Sequence, residues 1–146
     1  MSLLKQSVAL DVSKDQLDIC FSVIDTAQKV KVKATRKFAN TPTGFIELTN
    51  WVKKHADPSI PLVFTMEATG VYYEQIAWYL FTQKQSVSVV LPNKARQYAK
   101  SLGLKSKNDK IDSIGLARMG AEQNLSLWQP MSKLFYQLRE PGNWQA

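Results

Sequence analysis

Near the start of the chain an apolar run, Val8-Ala9-Leu10, ends on an acid, Asp11, and after a short polar stretch a second run returns as Leu17-Asp18-Ile19-Cys20-Phe21. This order reads as a buried strand, a tight turn and a second strand lying antiparallel beside the first. A carboxylate at the end of a buried strand is costly unless it is paired or binds a cation. The rest of the chain must therefore supply Asp11 with a partner. Two later places have the right chemistry. Glu67 sits near the end of another apolar run, Leu62-Val63-Phe64-Thr65-Met66-Glu67-Ala68, and Asp109 with Asp112 form a pair spaced three apart.

The segments between these acids define the layout. Val30 to Phe38 alternates, with Val30, Val32, Ala34 and Phe38 expected on one face and Lys31, Lys33, Thr35 and Lys37 on the other, as in a half-buried strand with a basic outer face. Lysines of this kind commonly guard a sheet edge against aggregation, and that explanation is preferred here to a nucleic-acid stripe. A helix is predicted after Asn40, with Thr41 as N-cap, Pro42 in its first turn, Phe45, Leu48 and Val52 as its buried stripe and Asp57-Pro58 as its stop. His55, the only histidine, falls in its last turn, where interaction with the helix dipole is its simplest role. Leu62 to Ala68 is apolar on both faces and reads as a central strand, with Glu67 on the same face as Val63 and Thr65. A helix with an inner stripe of Tyr73, Ile76, Ala77 and Leu80 follows, then a strand over Ser86 to Leu91 and a helix through Ala95, Tyr98, Ala99 and Leu102 ended by Gly103. A last helix is expected over Asp109 to Arg118. An antiparallel start followed by strand–helix alternation predicts an α/β fold: a mixed sheet whose first three strands are antiparallel, with helices on both faces.

The chain's 146 residues fit one domain with its own core, and 45% apolar with 21% charged residues is ordinary globular composition. A net charge of +7 suggests a polyanionic partner. One cysteine, Cys20, cannot form an internal disulfide, which fits a reducing, cytoplasmic location, and no apolar run approaches the roughly 20 residues of a membrane span. No membrane partner is expected.

On a helix, residues three apart lie about 5–6 Å from one another, so Asp109 and Asp112 can share one ion or hold one each of a pair. Like charges about 4 Å apart repel by on the order of 4 kcal/mol at an effective dielectric near 20, so several acids brought together call for cations or protons. All-oxygen ligation favours Mg²⁺ or Mn²⁺ over zinc. Each acid alone also has an ordinary structural explanation: capping for Asp109, a solvated face for Asp112, a turn for Asp11. Asp15, Asp18 and Asp25 are read as structural or surface residues. Lys94, Arg96, Lys100, Lys105, Lys107 and Lys110 cluster between the last strand and the paired acids, with Tyr98 nearby, and are the candidate nucleic-acid-binding residues. A solvated helix face is the alternative for them.

Taken together, Val-Ala-Leu-Asp-Val-Ser-Lys around Asp11, Met-Glu-Ala-Thr-Gly around Glu67, and Lys107-Asn108-Asp109-Lys110-Ile111-Asp112 resemble the N-terminal domain of DEDD transposases, the insertion-sequence one-ten group and the Piv DNA invertases. Asn40-Thr41-Pro42-Thr43-Gly44-Phe45, Leu91-Pro92-Asn93 and Trp128-Gln129-Pro130 also resemble that family. The resemblance implies a RuvC-like, RNase H-type fold over residues 1–125. It implies Asp11, Glu67, Asp109 and Asp112 as four catalytic, metal-ligating acids, with Mg²⁺ or Mn²⁺ as cofactor. It further implies DNA recombination, for many members directed by an element-encoded guide RNA; a homo-oligomer is among the assemblies open to the chain. The family continues through a helical linker into a domain with a catalytic serine. Here residues 126–146 are expected to be the start of that linker, cut short, with the serine domain absent. Two other functions are weighed: a catalytically inactive module that binds guide RNA or DNA, and a sugar-kinase or actin-like fragment, which ranks last because no glycine-rich phosphate loop is present.

Overall fold

The computed structural model describes residues 2–103 and 113–129. Its elements run β1 (Leu3–Val12), β2 (Gln16–Asp25), β3 (Val30–Ala39), α1 (Pro42–His55), β4 (Leu62–Glu67), α2 (Glu74–Thr82), β5 (Val87–Val90), α3 (Pro92–Ser101) and α4 (Ser113–Glu122). The order and type of these elements agree with the pattern read from the sequence. Asp109 to Asp112, expected to open the last helix, lie outside the described residues, as does 130–146.

The five strands form one sheet in the order β3-β2-β1-β4-β5. β1 is antiparallel to β2 and β2 to β3, whereas β4 lies parallel to β1 and β5 parallel to β4. β1 is thus the middle strand, and Val8, Ala9 and Leu10 are fully buried because both faces of the sheet are covered. On one face Val8, Leu10, Ile19, Phe21, Phe64 and Met66 pack with α1 and α2. On the other, Ala9 and Cys20 pack with Tyr98 of α3 and Leu116, Ala117 and Met119 of α4.

Local chemistry sets the turns. Ser13 closes the β1–β2 turn through its N–H and hydroxyl, both donating to Gln16 O at 2.9 and 3.0 Å. Asp25 closes the next turn, its Oδ1 accepting from Ala27 N and Lys29 N at 2.8 and 3.1 Å, with Gln28 at φ 63°. Thr41 Oγ1 caps α1 by accepting from Gly44 N at 3.1 Å. Gly44 itself has no room for a side chain, since a Cβ there would stand 1.8 Å from Ala39 O. Trp51 joins the expected stripe of Phe45, Leu48 and Val52, meeting Phe21 and Phe38 edge-on at 6.5 and 5.9 Å. His55 Nδ1 donates to Trp51 O at 2.8 Å, and the imidazole lies against the Trp51 ring. Past α4 the chain returns to the β5 edge, where Trp128 N donates to Val87 O at 2.6 Å and the indole meets Phe81 edge-on.

β3 departs from the expected alternation. Ala34 pairs with Phe21 but Val32 pairs with Ser22, so a bulge leaves Lys33 without an opposing residue. The extra residue flips the faces beyond it. Ala34 stays with Phe21, while Val32 crosses to the Ser22 side and is 42% exposed. β3 is an exposed edge strand rather than a half-buried one, with Phe38 its only buried residue.

α4 lies unusually close to the sheet. A Cβ on Gly120 would approach Thr65 Oγ1 to 2.4 Å and Ser7 Oγ to 2.7 Å, and Ser7 Oγ donates to Ala117 O at 2.7 Å. The bare backbone at Gly120 lets the helix rest directly on β1 and β4. Overpacking of this kind costs about 1–3 kcal/mol, so Gly120→Ala should lower the urea midpoint accordingly. Adding Thr65→Ala, which removes the nearest clashing atom, should recover part of that loss; equal stability of Gly120→Ala and wild type would show that the helix is not seated as described.

Candidate metal centre

Asp11 and Glu67 come together through strand register alone. Ala9 pairs with Thr65 and Leu10 with Met66 in the parallel β1–β4 ladder. The next residues on the two strands are Asp11 and Glu67, on the same face as Ala9 and Thr65 by the period-2 alternation, and neighbouring strands lie about 4.8 Å apart. Both carboxylates therefore stand at the same end of adjacent strands, on the face covered by α4. The sequence reading expected these strands adjacent and parallel, and they are.

Glu67 is half held. Thr69 Oγ1 donates to its Oε1 at 2.8 Å, while its Oε2 is buried with no hydrogen-bond partner among the described residues. A buried carboxylate oxygen without a donor is the kind of group a cation satisfies. Asp11 lines a cavity of about 480 Å³ together with Asp18, Thr35, Lys37, Ser113 and Ile114. Ser113 is the first residue of α4 and follows Asp112 directly in the sequence. Among the described residues no group of three or more potential metal ligands converges. Asp109 and Asp112 lie outside them, so of the four acids expected from the sequence Asp11 and Glu67 are the two described. An all-carboxylate donor set with one orphaned oxygen fits a hard divalent cation such as Mg²⁺ or Mn²⁺.

One support holds this end of the sheet and a second holds the far end of α4. Asn40 bridges the loops that follow the two acids, its Nδ2 donating to Ser13 O at 2.8 Å and to Tyr72 O at 3.2 Å. Across the α3–α4 contact, Tyr98 Oη donates to Glu122 Oε1, and Arg118 Nε donates to the same oxygen at 3.1 Å. Burial first, and then Glu122, hold the Tyr98 phenol well above its ordinary pKa.

Of the proposed nucleic-acid-binding residues, Lys94, Arg96 and Lys100 are exposed on α3, which starts two residues beyond the Glu67–Val90 pair, and Arg96 Nη2 donates to Asn93 Oδ1. Lys105, Lys107 and Lys110 lie outside the described residues. The sequence reading does not name Asp18, Lys37 or Asn40 among the site residues, although all three stand at this end of the sheet. Asp18 faces Asp11 across the β1–β2 ladder and Lys37 faces Asp18 across the β2–β3 ladder, so the three form one cross-strand row. The hairpin itself held the signal for Asp18, since a tight turn centred on Lys14 and Asp15 must set residue 18 opposite residue 11.

Comparison with known proteins adds three findings. Residues 8–141 match a family model described as a transposase, of the DEDD, insertion-sequence one-ten type. The chain is 41% identical over 128 residues to the pilin gene-inverting protein of Moraxella lacunata and 40% identical to that of Moraxella bovis, covering 88% of this chain and 38% of each relative. It thus spans well under half the length of those relatives. Its fold is similar to Thermus thermophilus RuvC, at TM-score 0.54 with 10% identity over 80% of this chain and 90% of that one. The same enzyme in complex with a Holliday junction substrate gives TM-score 0.52 over 80% and 93% of the two chains, with 12% identity.

Tyr98→Phe should loosen the α3–α4 contact, at a cost of about 1–2 kcal/mol at neutral pH. Because the folded-state phenol pKa is raised, its contribution is complete below the unfolded value near 10 and is lost as pH climbs from there towards the folded value. Urea denaturation from pH 8 to 11 should show wild type losing its advantage over the variant above about pH 10; parallel curves would contradict the assignment.

Proposed function

This chain belongs to the DEDD transposase family of the insertion-sequence one-ten group, and we propose that it supplies the nuclease-like half of a DNA recombinase, in which Asp11, Glu67, Asp109 and Asp112 hold Mg²⁺ or Mn²⁺. The observation that carries the proposal is the position of Asp11 and Glu67, each the next residue past the Leu10–Met66 pair of adjacent parallel strands, with one carboxylate oxygen of Glu67 buried and without a hydrogen-bond partner among the described residues. Divalent ions held there would polarise a phosphodiester and stabilise the attacking and leaving oxygens of a displacement. The chain's own contribution is placement. The β1–β4 ladder aligns two acids, Thr69 orients Glu67, Asn40 ties the two loops together, and α4 starts against the Asp11 cavity with the remaining two acids just before it in sequence.

The substrate proposed is DNA, in keeping with the family and with the +7 charge. Lys94, Arg96 and Lys100, with Lys105, Lys107 and Lys110, would contact its backbone next to the metals. A guide RNA, as in many members of the family, is the proposed second nucleic acid. Complete exchange between two DNA partners is assigned to the serine domain that the family places beyond the linker, working together with this one. Among the described residues no helix is long and apolar enough to cross a membrane, and the proposed site of action is the nucleoid in the cytoplasm.

Metal binding tests the reading without requiring turnover. An ion that binds only the folded state, at a hundredfold excess over its dissociation constant, stabilises by about 2.7 kcal/mol. For a domain of this size that corresponds to roughly 5–10 °C in Tm. Thermal melting with and without Mn²⁺ should show such a rise for wild type and none for Asp11→Asn or Glu67→Gln. The same preparations should nick a branched DNA only with wild type and a divalent ion. A wild-type Tm indifferent to Mn²⁺ over a wide concentration range would remove the metal centre and the nuclease assignment with it.

A further inference from the structure

Lys29 and the following strand β3 carry five cations and no acid up to Lys37, four of them on the strand itself. Edge protection accounts for lysines that merely point to solvent. It does not account for Lys37, which lines the Asp11 cavity at the end of the Asp11–Asp18–Lys37 row. Its ammonium lies 3.9 Å from Asp18 Oδ1, with the two side chains 69% and 40% exposed. An exposed pair at that distance contributes little, so the lysine is free to exchange the carboxylate for a phosphate. Among the described residues Lys29, Lys31 and Lys33 have no ion-pair partner.

The bulge arranges these charges. Lys31 and Arg36 pair with Val23 and Ile19 and so lie towards the α1 face, Lys37 lies towards the α4 face, and Lys33 stands outside the ladder between them. Arg36 is held over the Phe38 ring, its Cζ 5.1 Å from the centroid. The rim of the sheet is therefore positive on both sides. From Lys31 to Lys37 a strand extends about 20 Å, roughly six nucleotide steps along one strand of B-form DNA. This matches a run of phosphates along a DNA strand better than it matches a single small anion.

We infer that β3 is a DNA-docking edge, in which Lys31, Lys33, Arg36 and Lys37 hold the sugar–phosphate backbone along the rim of the sheet and lead it to the cavity at Asp11. The inference rests on the proposed DNA chemistry of that cavity, and it adds a second binding surface on the opposite side of the acids from α3.

The test is fluorescence anisotropy of a labelled branched DNA with the full chain, across a salt series, with Ca²⁺ in place of Mg²⁺ to separate binding from cleavage. The variant is Lys31→Gln/Lys33→Gln/Lys37→Gln. A charge-matched control, Lys53→Gln/Lys54→Gln/Lys84→Gln, removes the same number of cations near the opposite end of the sheet. With each duplex phosphate contact worth about 0.9 in the slope of log K against log salt, the β3 variant should lose two to three units of slope and at least tenfold in affinity at about 0.1 M salt. The control should lose clearly less. All these positions are exposed, and urea melts should match wild type for both variants. If the β3 variant and the control weaken equally, only the general charge matters and the docking edge is wrong while the metal centre stands. If the β3 variant self-associates but binds DNA as wild type does, the lysines guard the edge and nothing more. If the loss is confined to a structured RNA competitor, the DNA commitment is wrong. If wild type itself binds no DNA at low salt, the proposed function fails and the docking edge fails with it.

Discussion

The parallel pairing of β1 with β4 is the contact from which the rest of this structure takes its geometry. It joins segments more than fifty residues apart, so its formation waits on the whole α1 crossover. Once formed, it leaves no freedom in where Asp11 and Glu67 lie, because each is the residue that follows the last paired position on its strand. A slip of one residue would turn one of the two carboxylates to the α1 face, into the cluster built on Leu10, Phe64 and Met66. The same apolar residues that make the core therefore police the alignment of the acids.

The second layer of control is how closely α4 approaches. Small residues on that helix, Gly115, Ala117, Gly120 and Ala121, are buried against the sheet. Ser7 and Thr65, polar side chains buried on two strands, meet the helix backbone instead of apolar side chains. A tightly seated helix carries its first residue, Ser113, to the wall of the Asp11 cavity. In this way the packing of one helix face, and the Tyr98–Glu122 tether at its far end, bear on a site neither of them touches.

Charge on this chain is arranged against that site. Asp11, Asp18 and Glu67 lie at one end of the sheet, and cations stand on either side, on α3 and along β3. Positive flanks beside an acidic centre attract a polyanion while the centre itself repels one. Under the proposed function, divalent cations on the acids would ease that conflict, and metal and nucleic acid would bind cooperatively.

The order and type of every described element could be read from the sequence, because apolar periodicity, the Thr41-Pro42 cap and the turn residues are local signals that act over a few positions. So could the candidacy of Asp11 and Glu67, since an acid ending a buried strand needs a reason to be there. Local pattern failed at β3, where strict alternation hid a bulge that depends on the partner strand: Ser22 pairs with Val32 only because β2 fixes the register from its other end. It also could not show that Lys37 shares a cavity with Asp11, that Asn40 bridges Ser13 and Tyr72, or that Gly120 meets Thr65 and Ser7. Those juxtapositions belong to residues far apart in the chain. The sequence by itself determined which segments form strands and helices and which acids are too costly to bury without purpose; the tertiary structure alone decided which side chains meet, because sheet register and helix approach are set by packing across the whole core.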